Sequence, residues 1–286
     1  MTWKEKNKIE PIITLIIYVF KIRWKHMIRY KGWFVISLFI PVIFAAFPIL
    51  IGTAMAGSPA NAAMNFQRNV GTSNYALYML IGTAIWTLAI GIMWDFGTWL
   101  RDEQQQGTLE QIFLAPTSIF WIAVGSSLFG VFQSLLQFVI VIIVGGIIYQ
   151  VIFDIITPAF LIAIIYIILG IIPLIGISLV LGSIVVKYKE ATSLFNLLQP
   201  IFGFLMGIFY PITVLPMIVR YLSYTLPLTY STNDARAVLL HLNYIFNFWV
   251  DLIILLLFVV IWPLLGLWEF SIIEKEAKKK GTLGAY

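Results

Sequence analysis

The chain has 286 residues and a net charge of +5; 61% of its residues are hydrophobic and only 11% are charged. Soluble domains carry about 25% charged residues, so this composition excludes an ordinary water-soluble fold and indicates an integral membrane protein. The absence of cysteine excludes a disulfide framework and a cysteine nucleophile, and the two histidines lie far from carboxylate clusters, which argues against a histidine-based metal or catalytic site.

Residues 1–32 form a basic region that we interpret as cytoplasmic. Lys21 and Lys25 recur at helical spacing, and Phe20 and Trp24 line a neighbouring face. This pattern predicts an interfacial amphipathic helix whose aromatic side chains lie at the acyl boundary and whose lysines face anionic headgroups. The alternative is a solvated basic tail, but such tails seldom carry aromatic residues at helical spacing.

Residues 33–273 contain six apolar segments, each close to the roughly 20 residues that a helix needs to cross a bilayer. The fifth is the shortest. The predicted fold is therefore an all-α membrane protein with six transmembrane helices, at Trp33–Met55, Tyr75–Trp99, Ile119–Tyr149, Pro158–Val186, Leu194–Tyr210 and Phe248–Ile273.

A polar stretch, 101–116, separates the second and third spans. Gly107 can take the left-handed conformation that ends a helix, and Thr108 is a suitable N-cap for a new one. Gln111 completes the spacing of a capping box, and Pro116 ends the new helix after about two turns. The sequence therefore predicts a short helix over residues 108–115.

One face of this short helix is apolar. Leu109, Ile112 and Phe113 fall at positions i, i+3 and i+4, which places them on one stripe. We expect the stripe to face away from the long helices, because it is too small to form a core and suits a groove on a partner protein.

Several polar residues lie within or near the spans. Buried amides can hydrogen-bond between helices or line a substrate path, and both readings stay open for Gln133, Gln137, Asn196 and Gln199. Asp95 is expected near the cytoplasmic interface, either as a contact that transmits movement or as a snorkelling or arginine-paired carboxylate. Small residues of the fourth span, including Gly176 and Gly182, are expected to allow close helix packing.

The fourth and fifth spans are joined by a short charged turn. It contains Lys187, Lys189 and Glu190, which we expect to contact a partner protein or headgroups, or else only to fix the topology.

Residues 211–247 form the longest outer segment, and they are far from hydrophilic. Pro211, Pro216 and Pro227 divide the segment into short helical pieces, so we expect it to be partly re-entrant or to pack over the bundle. Asp234 and Arg236 are expected to pair with each other or with Asp251.

The distribution of lysine and arginine predicts the orientation. Only Arg68, Arg220 and Arg236 lie in the outer parts, whereas the N-terminal region, Arg101, the 187–189 turn and the tail at 274–286 are basic. Both ends are therefore expected in the cytosol, in a multi-pass protein of the cell membrane.

Two stretches resemble the ABC-2 type permeases, the membrane subunits of ATP-binding-cassette exporters. The first comprises Arg101-Asp102, Gly107-Thr108-Leu109-Glu110 and Pro116. The second comprises Phe209-Tyr210-Pro211-Ile212, Leu215-Pro216, Pro227-Leu228-Thr229-Tyr230 and Arg236. Ala115 departs from the pattern, because the family more often has Ser or Thr before this proline. Together with the predicted spans and the basic N-terminal helix, the likeness covers nearly the whole chain.

The resemblance implies that the short helix is a coupling helix seated in a cleft of a nucleotide-binding subunit. It implies also a dimer with a second permease subunit, identical or paralogous, and a substrate that moves between the two halves. The coupling residues it suggests are Arg101, Asp102, Glu103, Gly107, Thr108, Leu109, Glu110, Ile112, Phe113 and Pro116. The outer-loop motif it suggests is Tyr210, Pro211, Pro216, Pro227 and Arg236.

The sequence has no Gly-x-x-x-x-Gly-Lys-Ser/Thr motif, so ATP and Mg²⁺ are expected on a separate partner and this chain is expected to bind no cofactor. The predicted function is the non-catalytic permease of an exporter for a lipophilic or amphipathic cargo. Membrane lipids are the other expected partners, and nucleic acid is not expected.

Three alternatives differ in cargo or in class. The cargo could be a lipid-linked glycan or polysaccharide, or the protein could be a channel or secondary carrier without ATP. The span centres lack ionisable residues, which counts against proton coupling. A membrane-embedded enzyme would need convergent acids, histidines or metal ligands, which the sequence lacks.

Overall fold

The computed structural model describes residues 3–114, 119–151, 157–187 and 191–280. Apart from one 3₁₀ turn, all regular structure in these ranges is α-helical, which confirms the all-α prediction. The helices are α1 Trp3–Arg29, α2 Lys31–Ala56, α3 Pro59–Val70, α4 Tyr75–Gln105, α5 Leu109–Leu114, α6 Ile119–Ile148, α7 Pro158–Lys187, α8 Ala191–Leu205, α9 Met217–Ser223, α10 Pro227–Leu240 and α11 Phe248–Lys280, with the 3₁₀ turn at Ile212–Val214.

Among the described residues, five helices are long and apolar enough to cross a membrane: α2, α4, α6, α7 and α11. They correspond to five of the six predicted spans, and the chain is a multi-pass membrane protein. We call the end of the bundle at which α1 and α5 lie the inner end, because the basic residues predict that it faces the cytosol.

The segment predicted as the fifth span, Leu194–Tyr210, does not form one long helix. Helix α8 has 15 residues and ends at Leu205, so it is about 22 Å long, shorter than the roughly 30 Å of a bilayer core. Gly207 then takes a left-handed conformation with φ of +65°, which turns the chain out of the helix. Pro211, four residues on, cannot donate a backbone hydrogen bond and so does not resume it.

Helix α1 runs continuously over Trp3–Arg29 and packs against α6. The rings of Phe20 and Trp24 contact Phe129 and Phe132 of α6, with centroids 5.5 to 6.5 Å apart. These two aromatic side chains therefore pack on an aromatic surface of α6, and Trp24 is still 36% exposed. Their position at the acyl boundary stays a prediction.

Helix α4 is the centre of the bundle. In its most apolar 18-residue segment, 72% of the residues are buried, compared with 17% in the corresponding segments of α2 and α11. Its residues Ile85, Leu88 and Ile92 pack with Leu174 and Ile177 of α7 in the main apolar cluster. The chain is therefore built around α4, and α2 leaves most of its surface uncovered.

Glycines allow the close approaches of α7, as predicted. A Cβ at Gly182 would lie 2.9 Å from the carbonyl oxygen of Gly97 in α4. A Cβ at Gly176 would lie 2.1 Å from the carbonyl oxygen of Trp262 in α11. Side chains larger than hydrogen would force these helices apart.

Helix α10 is polar in sequence but buried in the structure. It packs against α4, α7 and α11, and its residues Thr229, Ser231, Thr232, Asp234 and Arg236 are all at most 2% exposed. Within the outer segment 211–247, α10 therefore lies inside the protein, whereas α9, which contacts α8, has an exposed apolar face.

Candidate functional site

Within the polar stretch 101–116, the helix ends close to where the sequence predicts. Helix α4 ends at Gln105 and Gly107 has φ of +71°. Helix α5 begins directly after Thr108. The hydroxyl of Thr108, however, donates to the backbone carbonyl of Glu103 at 3.1 Å and to its carboxylate. Thr108 therefore ties the loop back to α4, while its carbonyl accepts the first helical hydrogen bond, from the Ile112 amide. The capping of α5 by the Thr108 side chain stays a prediction.

Helix α5 also sits differently on the bundle than the apolar stripe predicts. Ile112 is partly buried and packs on a cluster formed by Trp99, Ala123, Leu179 and Phe270. The expectation that the stripe faces away from the long helices is thus wrong at Ile112, because the ends of α4, α6, α7 and α11 leave an apolar pocket there. Leu114, in contrast, is 85% exposed.

Several predicted coupling residues lie wholly or partly outside the described residues. This holds for Pro116, Lys189 and Glu190, and for the side chains of Arg101, Leu109, Glu110, Phe113 and Lys187. Their roles stay predictions.

Helix α1 is joined to the α5 loop by a chain of polar contacts. Arg23 donates through Nη2 to Glu103 Oε1 at 3.0 Å, and Glu103 accepts the Thr108 hydroxyl. The sequence analysis did not single out Arg23, because no local pattern links it with Glu103, which lies 80 positions away in the chain. Asp102 accepts a hydrogen bond from Thr98 at 3.0 Å. Burial raises the pKa of the Asp102 carboxyl.

A cavity that we call the path cavity has a volume of about 750 Å³. It lies between α2, α4, α6 and α8. Its lining is aromatic and aliphatic, interrupted by four uncharged polar side chains: Thr83, Thr87, Gln137 and Gln199. Phe44, Phe47 and Ile51 of α2 line it and are more than half exposed, so the cavity opens on the face of α2 that no other helix covers.

Two of the four predicted path residues meet in this cavity. Gln199 accepts a hydrogen bond from Trp94 Nε1 at 3.3 Å, and Gln137 donates to the Ser37 carbonyl of α2 at 3.0 Å. Gln133 donates to the Ser37 hydroxyl at 3.3 Å and does not line the path cavity. Asn196 is exposed elsewhere on α8. The glutamines of α6 therefore also fasten α2 to the bundle.

Arg236 is the polar centre of the outer half. It is 2% exposed, and it donates to the carbonyls of Tyr78 at 3.1 Å, Gly207 at 3.0 Å and Ile208. Its guanidinium lies 3.7 Å from the centroid of the Tyr78 ring. The expected pairing of Arg236 with Asp234 or Asp251 is wrong, since the guanidinium is directed to the carbonyls that follow the end of α8.

The other residues of the outer-loop motif surround the same break. Tyr210 donates its hydroxyl to the carbonyl of Phe204 near the end of α8. Pro211 precedes the 3₁₀ turn, Pro216 precedes α9, and Pro227 is the first residue of α10. Prolines fit these positions because the first residues of a helix need no amide donor.

Asp234, in the middle of α10, and Asp251, in the first turn of α11, form a buried pair of carboxyl groups. Both residues are 0% exposed, and the Asn233 side-chain amide donates to Asp234 Oδ1 at 3.2 Å. Asp234 Oδ2 is buried and has no hydrogen-bond partner among the described residues. Asp251 also accepts from the Phe246 amide at 3.2 Å, ahead of α11. Burial, with the adjacent Asp251, raises the pKa of Asp234 to about 8. A proton shared between two carboxyls accounts for this arrangement.

The fold and these sites define the class of protein: an all-helical, multi-pass membrane protein with a large open cavity and a short helix between two of its spans. A sequence model of the ABC-2 type transporter family matches residues 14–240, from α1 through α10, and the chain belongs to this family. It is thus the membrane permease component of an ABC transporter, a generally non-catalytic part, and the family implies association with an ABC ATPase subunit. A search of the curated proteins finds no match.

Replacing Arg236 by Met should destabilise the protein strongly. Met fills a similar length but donates no hydrogen bond, which leaves the buried carbonyls of Gly207 and Ile208 unsatisfied at about 1–3 kcal/mol each. The Tyr78 carbonyl, inside α4, keeps its helical hydrogen bond. We expect the melting temperature in mild detergent to fall by several degrees, whereas Arg68→Met, on the exposed helix α3, should leave it unchanged. Equal melting temperatures for both variants would contradict the role assigned to Arg236.

The carboxyl pair should make stability depend on pH. Because the folded-state pKa of Asp234 is raised above its ordinary value of 3.8, the folded state holds a proton that the unfolded state releases. Stability is then lost as pH rises from about 4 to about 8 and is level above that. We expect the melting temperature of the wild type to fall over this range and that of Asp234→Asn to fall less. Parallel curves for the two proteins would show that Asp234 does not hold the proton.

Proposed function

We propose that this chain is the permease of an ATP-driven exporter and that the path cavity accepts a lipophilic or amphipathic cargo. The observation that carries the proposal is the cavity itself. Its volume of about 750 Å³ is within the range of roughly 300–1,000 Å³ found for small-molecule sites. Among the described residues no charged side chain lines it, and Trp86, Phe44, Phe47 and Phe209 supply an aromatic surface.

The cavity is open on one side, which supports a second permease subunit. Phe44, Phe47 and Ile51 line it and remain more than half exposed. We propose that an identical or paralogous permease covers this face of α2, so that cargo moves between two such cavities. Lipid could cover an apolar face equally well, but it would not close a path to water on both sides of the membrane.

The inner end offers a route for ATP-driven movement. Ile112 of α5 packs against a cluster to which α4, α6, α7 and α11 each contribute one side chain. Thr108, Glu103 and Arg23 connect the α5 loop to α1. Closure of a partner ATPase that holds ATP and Mg²⁺ would shift α5 and with it these helices. Such a shift between two packings is the basis of alternating access.

The path cavity favours a lipophilic cargo over the alternatives. A glycan would need many hydrogen-bonding partners, and the cavity offers four uncharged polar side chains. An ion-coupled carrier usually keeps an ionisable residue along its path, and the described lining has none. We therefore keep glycan export as the second candidate, and we place the protein in the cell membrane with both ends in the cytosol.

The coupling proposal predicts that a charge on the exposed part of α5 releases the ATPase. Leu114 is exposed and apolar, so Leu114→Asp, like Leu109→Asp and Phe113→Asp, should abolish copurification of an ATPase in mild detergent. Gln106→Asp is the matched control, because it adds the same charge to the same loop just before Gly107. Retention of the ATPase by all three α5 variants would rule out α5 as its docking helix.

The cargo proposal predicts that filling the path cavity blocks transport and leaves the ATPase bound. Thr87 lines the cavity at a partly exposed position of α4, so Thr87→Trp should lower ATP-dependent export of a lipophilic cationic dye at least about tenfold. The control Leu161→Trp alters an exposed position of α7 that does not line the cavity. Equal export by both variants would remove the cavity from the path.

A further inference from the structure

A second cavity, which we call the inner cavity, lies at the inner end between α1, α2, α4 and α6. Its volume is about 430 Å³, and none of its described lining residues belongs to the path cavity. It lies at the depth of the membrane surface. Asp95 is four residues, or roughly 6 Å of helix, before the end of the α4 span at Trp99, and α2 begins beside the cavity at Lys31.

One side of the inner cavity carries two carboxylates, Asp95 and Asp102, and both interact electrostatically with Arg23, which also pairs with Glu103. Asp95 accepts a hydrogen bond on its backbone carbonyl from Ser127 at 3.3 Å, but no described residue donates to its carboxylate or forms an ion pair with it within 4 Å. A Cβ at Gly130 would lie 1.7 Å from its Oδ2, so the glycine makes room for the carboxylate. Asp102 lies on the same wall. A partly buried carboxylate of this kind needs a cationic or hydrogen-bonding partner.

The inner cavity also holds donors. Arg23 and His26 lie one turn apart on α1 and line it, and Arg23 contacts Glu103 through one of its three nitrogens. Trp99 lines it too and is only 4% exposed, and its buried indole Nε1 has no hydrogen-bond partner among the described residues. A buried N–H without an acceptor is costly, so Trp99 contributes a donor that needs an acceptor at the inner cavity.

Aromatic side chains form the rim of the inner cavity. Tyr30 and Trp33 are 57% and 69% exposed, at the level where aromatic residues border the headgroups. Such rings stabilise an ammonium group through cation–π contact. Beyond Trp33 the exposed side chains of α2 are apolar, among them Ile36 and Phe39, and they provide a surface for acyl chains.

We propose that the inner cavity binds the headgroup of a zwitterionic, amine-bearing phospholipid from the adjacent leaflet, with the acyl chains along α2. Asp95 and Asp102 bind its ammonium, and Arg23, His26 and Trp99 bind its phosphate. The two carboxylates outweigh the single guanidinium, which is shared with Glu103, so the cavity favours an ammonium headgroup and disfavours an anionic one. The site is separate from the cargo path, and it shares Arg23 with the contacts that connect the α5 loop to α1.

The test compares lipids that differ in the headgroup. The purified full-length permease in mild detergent is titrated with dioleoyl phosphatidylethanolamine or dioleoyl phosphatidylglycerol, and binding is followed by native mass spectrometry. We expect phosphatidylethanolamine to bind at least about tenfold more tightly than phosphatidylglycerol, because one charge-assisted hydrogen bond to the ammonium is worth a difference of that size. Equal binding of the two lipids would overturn the proposal.

Variants separate the two halves of the headgroup. Asp95→Asn should abolish the preference for phosphatidylethanolamine, while Asp234→Asn, the same change at the opposite end of the bundle, should retain it. Trp99→Phe retains the packing but removes the indole donor, so we expect weaker binding of both lipids with the preference for phosphatidylethanolamine unchanged. This variant tests the site even if Asp95→Asn fails to fold. Preference retained by Asp95→Asn, or unchanged affinities in Trp99→Phe, would contradict the assignment.

A soluble headgroup distinguishes the source of the ligand. Glycerophosphoethanolamine has the same phosphate and ammonium but no acyl chains, and we expect it to compete only at concentrations at least about a hundredfold higher, because it buries no apolar surface on α2. Competition at the same concentration as the lipid would show that the cavity takes a free zwitterion and would overturn the lipid assignment.

Discussion

The carbonyl groups at the end of α8 must receive hydrogen bonds from protein, because the hydrocarbon of a membrane offers none. Helix α8 ends within the bundle at Leu205, and Arg236 of α10 donates to the carbonyls of Gly207 and Ile208 that follow. This interaction requires α10 to be buried between α4 and α7. A Cβ at Gly82 of α4 would lie 2.0 Å from the Arg236 guanidinium, so α4 too is adapted to it.

The break in α8 also shapes the path cavity. Gln199 lies within α8 and Phe209 lies after its end, and both line the cavity. Gly203 brings α8 close to Trp86, since a Cβ there would lie 2.9 Å from the indole ring. A continuous helix would carry this segment straight past α4 and would leave Phe209 elsewhere. The same polar contacts that stabilise the outer half therefore also position residues of the cavity.

The sequence was sufficient for features that depend on local chemistry or on segment length. Five long apolar segments became α2, α4, α6, α7 and α11, and Gly107 breaks the chain before α5. The sequence was insufficient for predicting contacts between residues that are far apart in the chain. The segment Leu194–Tyr210 is apolar apart from Asn196 and Gln199, so its composition and length do not reveal a helix that ends early. The Arg236 contacts with α4 and α8, the pairing of Arg23 with Glu103 and the inward orientation of Ile112 depend on tertiary packing, which periodicity does not encode.

The two cavities differ in charge in a way that follows from membrane depth. A charge is expensive in the hydrocarbon and much cheaper at the headgroups. The path cavity, which extends from the middle of α2 toward its outer half, is lined by uncharged side chains in the described part of the chain. The inner cavity near the membrane surface contains Arg23, Asp95 and Asp102. A permease that is driven by a separate ATPase needs no titratable group along its path. Its ionisable residues are therefore available for coupling and lipid contact at the inner end. At the outer end, Arg236 donates hydrogen bonds to the backbone carbonyls that follow α8.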